Sequence, residues 1–256
     1  MLCGEPSTGS GPTDMYSVGI VAALEREVRP FLKLRRWRTV ERDHDGRRFR
    51  FFEDGEDAVL ICGGIGQAAA RRAAEALLAL YSPTLVYSVG FAGALEPGSK
   101  VGDLFLPSQV INAAEGSRVT LAQGEGTLVS FASVASPEQK AKLRESYAAR
   151  LVDMEAAAVF RAAELHGAEF LAVKAISDEY DFHFPDLDRF VDANGNFRQG
   201  RFALYAAVRP WLWWKVIQLA HNSHHATNSL CDWLTASLNR MIACAPEHTK
   251  GEAQGR

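Results

Sequence analysis

Two carboxylates in this chain stand at the ends of apolar segments, where a charge is unfavourable unless it binds something. Glu155 opens an apolar helical run that continues to residue 165, and Asp178 stands just after the apolar run over residues 170–176. Cleavage of a glycosidic bond needs two such groups, one to bind the sugar hydroxyls and one to donate a proton to the leaving group. The pair therefore predicts a site for glycosidic chemistry.

A third candidate carboxylate lies near the N-terminus, where Glu25, Arg26 and Glu27 follow the first predicted strand. The helix dipole also favours acidic residues at the start of a helix, by ~0.3–1 kcal/mol. That effect explains the acidity. A carboxylate in this place would in addition orient a water molecule as the nucleophile, if it reached the same crevice as the other two.

Two glycine-rich segments provide space for a ligand. The turn over residues 63–66 lets the backbone approach a ligand at Gly66 and begins a helix whose amide end faces that ligand, although a plain strand-to-helix turn needs the same glycines. The segment over residues 90–103 contains Ala92 and Gly93, which leave room for a planar base or a sugar. Ala69 replaces the third glycine of a dinucleotide fingerprint, and the P-loop lysine is missing, so neither motif is supported.

Strands and helices alternate along the chain, which predicts an α/β layer fold with a largely parallel central sheet. Ligands of such sheets bind beyond the carboxyl ends of the strands, where the candidate residues lie. We expect strands over residues 16–23, 47–53, 58–62, 85–89, 104–110, 128–131 and 170–176, and helices over residues 25–34, 67–81, 137–147, 155–165 and from residue 202 onward.

The composition is that of one folded domain. The 256 residues are 47% hydrophobic and carry a formal net charge of −3, which gives no indication of nucleic-acid binding. No segment reaches the ~20 apolar residues of a membrane span. The four cysteines show no metal-binding spacing, and a reducing cytoplasm is the simplest compartment. We expect a disordered leader over residues 1–14, one domain over residues 15–240 and a flexible tail over residues 241–256.

Five motifs, in order along the chain, resemble those of the nucleoside phosphorylase/hydrolase superfamily, and most closely its methylthioadenosine/S-adenosylhomocysteine nucleosidases. The resemblance implies a three-layer αβα fold with a mixed, largely parallel sheet. It also implies a purine nucleoside ligand, no cofactor, and a homodimer or higher homo-oligomer. The motifs occupy residues 19–28, residues 63–69, residues 90–95 with 100–103, residues 153–156, and residues 175–178 with Asp181.

The resemblance implies a role for each matching residue. Asp178 resembles the acid that protonates N7 of the purine leaving group. Glu155 resembles the carboxylate that accepts hydrogen bonds from the ribose 2′- and 3′-hydroxyls, and Glu27 resembles the residue that positions the attacking water. Three further residues are implied to complete the site: Ser177 beside the acid, Met154 against the sugar, and Phe131, or a near neighbour, against the base.

The same superfamily performs hydrolysis and phosphorolysis. Its hexameric phosphorylases hold phosphate with an arginine and a Ser or Thr where this chain has Ser88 and Phe91, which favours water as the nucleophile. In the other direction, Arg26 stands about where phosphorylases place another phosphate-binding arginine. Phe91 also replaces the serine usual in nucleosidases, so the substrate can differ from methylthioadenosine.

The C-terminal region departs from the family pattern. Residues 186–200 form a polar, partly aromatic insertion, and the tryptophan-rich run 211–214 precedes a helix over residues 215–221. A helix packed on the core explains this run; the alternative is an apolar lid for a bulky 5′-substituent, or a peripheral membrane contact. His221, His224 and His225 lack the HExxH spacing, and no metal site is predicted there.

We therefore expect a metal-independent purine nucleosidase that hydrolyses the N-glycosidic bond of a 5′-substituted adenosine and releases adenine. One alternative is a purine nucleoside phosphorylase, including one that acts on a lipid-linked adenosine, as superfamily members tied to hopanoid lipid synthesis do. The other is a non-catalytic nucleoside-binding protein. The joint presence of Glu27, Glu155 and Asp178 argues against this last alternative.

Overall fold

The computed structural model describes residues 17–55, 57–182, 187–192 and 194–244. The expected leader, part of the insertion and residues 245–256 of the expected tail lie outside the described residues. Eleven strands form one mixed, largely parallel sheet with helices on both faces, which confirms the predicted α/β fold. None of the helices in the described ranges is long and apolar enough to cross a membrane.

The elements follow one another in the alternation that the sequence predicts. The helices are α1 (Glu25–Leu34), α2 (Gln67–Tyr81), α3 (Pro137–Tyr147), α4 (Ala156–His166), α5 (Gln199–Ala207) and α6 (Trp213–Cys244), with 3₁₀ turns at Leu187–Phe190 and Pro210–Leu212. The strands are β1 (Val18–Ala22), β2 (Arg38–His44), β3 (Arg47–Asp54), β4 (Ala58–Cys62), β5 (Leu85–Ala94), β6 (Leu104–Phe105), β7 (Gln109–Asn112), β8 (Arg118–Thr120), β9 (Thr127–Ser130), β10 (Leu151–Asp153) and β11 (Glu169–Asp178).

The middle of the sheet opens a gap beside β5. Strand β1 lies parallel to β5 and pairs with it from Leu85 to Val89, and β10 runs antiparallel to β5 and pairs with Gly93 and Ala94. Strand β11 pairs with the other edge of β5 along nearly its whole length. Residues 90–92 therefore have a partner strand on the β11 side alone, and the strand ends around this gap surround the candidate site.

Alternating side chains of the central strands form two apolar layers. Val21 of β1 belongs to a buried cluster with the alanine-rich α2 and with α4, whereas Ile20 points into a second cluster with α1 and α6. This period of two is the expected geometry of a strand buried on both faces. The layers fix the position of the strand ends that carry the candidate carboxylates.

Several strand predictions were incomplete or wrong. The run expected as one strand over residues 104–110 is divided into β6 and β7 by Pro107, which has no N–H for a sheet. The glycine-rich segment expected as a loop from residue 90 continues β5 as far as Ala94. Strand β2 was missed because its residues are polar and none is buried. Helix α6 extends to Cys244 and so includes the start of the expected tail.

Candidate active site

A cavity of about 470 Å³ lies where β1, β5, β10 and β11 end. Its wall brings together residues that are far apart in sequence, among them the three candidate carboxylates, which could act together only if they shared one crevice. The sequence-predicted residues along the cavity are Arg26, Glu27, Ala92, Gly93, Met154, Glu155, Ser177 and Asp178. We name the part of the wall formed by Glu27, Glu155 and Asp178 the polar half.

Glu155 is held by backbone amides on both carboxylate oxygens. It is the residue before α4; Gly66 N–H donates to Oε1 at 2.8 Å, and Met154 N–H donates to Oε2 at 3.2 Å. Gly66 has φ of 94°, a conformation that favours glycine, and this conformation turns its N–H toward the carboxylate. Burial, together with the neighbouring charge of Asp153, raises the pKa of Glu155. Donors from a ligand would stabilise its ionised form.

A buried ion pair lies behind Glu155. Lys174 Nζ is 2.9 Å from Asp153 Oδ2 and donates to Ser88 Oγ at 3.2 Å, while Ser130 Oγ donates to Asp153 Oδ1 at 2.6 Å. Burial by itself would lower the pKa of Lys174, but the charges of Asp153 and of Glu155 and Glu27 outweigh it and raise this pKa. The lysine thus partly balances the negative charge of the polar half. The sequence signal was a lysine inside an apolar strand, and its role was missed.

Glu27 is buried against the opposite side of the gap. Its side chain is 4% exposed, and Leu24 N–H donates to its Oε2 at 3.4 Å. Burial raises the pKa of Glu27 to about 7, in spite of the opposing charges of Arg26 and Lys174. A Cβ atom at Gly90 would lie 3.1 Å from Glu27 Oε2, so glycine leaves this carboxylate its place. A carboxylate with this pKa can accept a proton from water near neutral pH.

Asp178 forms a partly buried ion pair that the sequence analysis did not predict. Lys140 Nζ of α3 lies 2.5 Å from Asp178 Oδ2 and also donates to the Glu179 carbonyl at 2.7 Å. Ser177 Oγ donates to Asp178 Oδ1 at 2.8 Å, which matches its expected position beside the acid. The Lys140 side chain is 4% exposed and that of Asp178 is 24% exposed. The ammonium orients the carboxylate and is the nearest proton donor to it.

Gly93 is needed for the close approach of Asp178 to β5. A Cβ atom at residue 93 would lie 2.8 Å from Asp178 Oδ2, so a side chain there would displace this carboxylate. The small residues of this segment were expected to leave room for a base or a sugar; at Gly93 the Asp178 carboxylate occupies the space that a side chain would take. Ala92 lies beside it along the same wall.

A large apolar part of the remaining wall comes from the C-terminal part of the chain. Arg26 lies at its border, with its guanidinium carbon 5.2 Å from the Phe197 ring centroid. Phe91 also lines the cavity, in place of a polar contact to a ligand. We name this part of the wall the apolar half; it consists of Val191, Phe197, Phe202, Val216 and Leu219.

Phe131 is the sequence-predicted residue that the structure places away from the wall. It packs against the buried cluster that contains Ile111 and Val129, and the cavity wall near it is formed by Ser133 and Val134 instead. Gly66 reaches the site through its N–H to Glu155. Within the described residues, no group of three His, Cys, Asp or Glu side chains is arranged to hold a metal ion.

Comparison with known proteins gives a family match over most of the chain. The model of the phosphorylase superfamily matches residues 17–133 and 125–203. A 5′-methylthioadenosine/S-adenosylhomocysteine nucleosidase of Haemophilus influenzae is 38% identical over 92 residues, which are 36% of this chain and 40% of that relative. The chain thus aligns with less than half of that relative's length.

Two further matches are longer. A 5′-methylthioadenosine/S-adenosylhomocysteine nucleosidase of Actinobacillus succinogenes is 27% identical over 198 residues, covering 64% of this chain and 86% of the relative. The apo structure of Arabidopsis thaliana 5′-methylthioadenosine nucleosidase superposes with a TM-score of 0.69 at 17% identity, over 91% of this chain and 98% of that one. The structural match shows a shared fold.

Proposed function

This chain belongs to the phosphorylase superfamily, and from that premise we propose that it is a purine nucleosidase that hydrolyses the N-glycosidic bond of a 5′-substituted adenosine. The observation that carries the proposal is the convergence of Glu27, Glu155 and Asp178 on one cavity. Two relatives that its sequence resembles are nucleosidases for methylthioadenosine and S-adenosylhomocysteine by name, which supports the reaction class.

In the proposed reaction, the polar half stabilises an oxocarbenium-like transition state. Glu155 accepts hydrogen bonds from the ribose 2′- and 3′-hydroxyls and places its negative charge near the sugar as positive charge develops there. Because these donors favour the ionised form, binding of the ribose offsets the raised pKa of this buried carboxyl.

Proton transfer at the base makes the purine a better leaving group. Asp178 is ionised in its pair with Lys140, and it first takes up a proton from that ammonium across their 2.5 Å contact. Asp178 passes this proton to N7 as the C1′–N9 bond breaks and the electron pair of that bond moves to the purine. Lys140 is reprotonated through solvent, which balances the proton that Glu27 takes from water and later releases. Glu27 takes a proton from the water whose oxygen bonds to C1′, so that the products are adenine and a free ribose derivative.

Water is favoured over phosphate as the nucleophile. Ser88, at the place where phosphorylases have an arginine, is buried and hydrogen-bonded to Lys174. Lys140, a cation of the cavity wall, is paired with Asp178. Phosphorolysis stays the second candidate because Arg26 also lines the cavity, and its guanidinium could meet an oxyanion there.

The apolar half indicates the substituent at the 5′ position. A wall of Phe197, Val216 and Leu219 suits an apolar substituent better than a charged amino-acid group. Such a substituent is a methylthio group or, in the alternative of a phosphorylase for a lipid-linked adenosine, a lipid tail. We further propose a homodimer or higher homo-oligomer in the cytoplasm as the working state.

The first test is adenine release from methylthioadenosine and from adenosine, each with and without phosphate. Release without phosphate from both, and faster from methylthioadenosine, is the expected result. Strict dependence on phosphate and a ribose 1-phosphate product would move the assignment to a phosphorylase. Binding of adenosine without cleavage would leave a nucleoside-binding protein.

A variant tests the role of the sugar contact. Glu155→Gln should lower kcat/KM for methylthioadenosine by roughly 10²-fold, because each hydrogen bond to a charged group contributes ~1.5–3 kcal/mol. The same variant should lower kcat/KM far less for a 2′-deoxy substrate, which already lacks one of the donors. An equal loss for both substrates would contradict the assigned contact.

A further inference from the structure

The described part of the chain concentrates its exposed apolar side chains in one place. Of the ten large hydrophobic residues that are exposed in the described ranges, six lie within 14 consecutive residues, and they are 53% to 74% exposed. Scattered apolar side chains are normal on a protein surface, but a contiguous group indicates an interaction site. We name this group the Trp surface; it consists of Leu204, Val208, Trp211, Trp213, Trp214 and Ile217.

Helix packing joins these residues into one surface. Trp213 Nε1 donates to the Ala206 carbonyl at 3.0 Å, which ties the first turn of α6 to the end of α5. Leu204 and Val208 are one helical turn apart, and so are Trp213 and Ile217. The two helix ends, joined by the 3₁₀ turn Pro210–Leu212, therefore present their apolar residues to solvent side by side.

The segment that carries the Trp surface has an excess of positive charge. From residue 193 to residue 231 the sequence has four Arg or Lys residues and no Asp or Glu, although the whole chain has a net charge of −3. Arg201 and Arg209 line a shallow depression together with Leu204 and Val208. Acidic groups also lie near the other two cations: Asp192 is 3.8 Å from Arg198, and Glu179 and Asp181 share a small cavity with Lys215.

We propose that the Trp surface binds peripherally to an anionic lipid bilayer. Tryptophan rings with a polar N–H are suited to the boundary between headgroups and acyl chains, and arginines beside them attract anionic headgroups. Contact with a second copy of this chain through the same surface would bring Arg201 and Arg209 of both copies together, and like charges oppose that contact. Charge complementarity therefore selects the membrane.

The Trp surface and the cavity share a helix. Val216 and Leu219 of α6 face the cavity, while Trp213 and Ile217 of the same two turns face solvent. A protein docked through the Trp surface would thus hold the apolar half of the cavity on the membrane side. This consequence rests on the proposed function, whereas the docking itself does not.

Vesicle binding by the full chain tests the proposal. The protein is sedimented with vesicles of phosphatidylcholine and with vesicles that also contain phosphatidylglycerol, and tryptophan emission is recorded. We expect binding to the anionic vesicles that is about tenfold tighter than to the neutral ones, that weakens in high salt, and that shifts the emission to shorter wavelength. Three of the five tryptophans belong to the Trp surface, so the shift reports this region.

Matched variants locate the contact. Trp211→Ser combined with Trp214→Ser, and separately Arg201→Glu, should each reduce binding to anionic vesicles by about tenfold. Leu165→Ser and Arg118→Glu are the controls, because both side chains are exposed and lie outside the Trp surface; neither should change binding. Thermal unfolding of each variant verifies that the fold is retained.

Three results would overturn the proposal: equal binding to neutral and anionic vesicles, vesicle binding that the tryptophan variants retain, or no vesicle binding by the natural chain. If the last result comes with a dimer that the tryptophan variants dissociate in sedimentation equilibrium, the occupant is a second copy. Adenine release is measured without lipid, so a failure of docking and a failure of the proposed function are recorded separately.

Discussion

The polar and apolar halves of the cavity are built in different ways. The polar half consists of strand ends and helix starts, and its side chains are fixed by backbone N–H groups, Ser177 and two buried lysines, Lys140 and Lys174. The apolar half comes from the segment after residue 190 and presents hydrophobic side chains to the cavity, with Arg26 over one of them, Phe197. A fixed half suits a reaction, and a packed apolar half suits recognition of a substituent. Under the proposed function, this difference would separate chemistry from specificity within one site.

The largest expected effect comes from the acid of the polar half. Asp178→Asn keeps the shape but removes the proton donor, and kcat should fall by roughly 10³–10⁴-fold. The measurement is steady-state adenine release. Asp181→Asn, an exposed neighbour on the same loop, is the matched control and should stay near the natural rate. Because the variant leaves Lys140 without its carboxylate, thermal unfolding must accompany the assay; a folded variant with near-normal turnover would remove Asp178 from the mechanism.

The pH dependence of kcat/KM tests the proposed role of Glu27 as the group that accepts a proton from water. Burial raises the pKa of Glu27 to about 7, and its ionised form is the one that accepts a proton from water. Activity should therefore rise with pH through about 7 and fall about tenfold per pH unit below it, or roughly 10²-fold from pH 7 to pH 5. A profile of kcat/KM against pH measures this limb.

Two variants identify the group that titrates. Glu27→Gln should be slow and should lack the limb near pH 7, whereas Glu25→Gln, on the more exposed side of the same helix start, should keep it. A limb that persists in Glu27→Gln would assign the titration to Glu155, whose pKa burial also raises.

Lys140 provides a smaller test of the polar half. Lys140→Met retains much of the buried aliphatic length but removes the ammonium that orients Asp178 and supplies its proton, so kcat should fall by roughly 10–100-fold. KM should change little, because the ammonium is bound to protein atoms and is not assigned a substrate contact. Lys142→Met on the exposed face of α3 is the control. A rise in KM with an unchanged kcat would instead indicate that Lys140 binds substrate.

The smallest expected effect belongs to the apolar half. Leu219→Ala should raise KM for methylthioadenosine by about tenfold, since lost methylene groups in an apolar pocket contribute ~1–3 kcal/mol. Adenosine, which has no apolar 5′-substituent, should show little change. Leu204→Ala, whose side chain is exposed on α5, is the control. Equal losses for both nucleosides would mean that this wall serves the fold and not the substituent.

The sequence predicted the polar half better than the apolar one for a physical reason. A carboxylate at the end of a buried segment, such as Glu155 or Asp178, is visible from the local pattern because its burial requires a partner. The partners were not visible: Lys140 lies 38 residues before Asp178 on a helix whose pattern shows no special position for a lysine. The resemblance implied Phe131, or a near neighbour, against the base. The position of an aromatic ring depends on packing, and the half-buried Phe131 packs against a buried cluster, while its neighbours Ser133 and Val134 line the cavity.

The fold shows the same division. Apolar runs and turn residues predicted α1, α2, α3 and most central strands, because the spacing of apolar residues along an element reflects which of its faces is buried. The polar edge strand β2 shows no apolar pattern, and β10 is buried but, with three residues, too short to show a period. Both form because neighbouring strands offer hydrogen-bond partners. Strand β5 continues through Gly90 for the same reason, since β11 pairs with it there.

The sequence by itself determined the α/β class, the identity of the three carboxylates and their place at the ends of apolar elements. These features depend on periodicity and on the cost of burying charge, which act over a few residues. Only the tertiary structure decided that Lys140 faces Asp178, that Lys174 lies behind Glu155, and that residues after 190 close the cavity with an apolar wall. Those contacts join segments far apart in the chain, and their geometry is set by the packing of helices on both faces of one sheet.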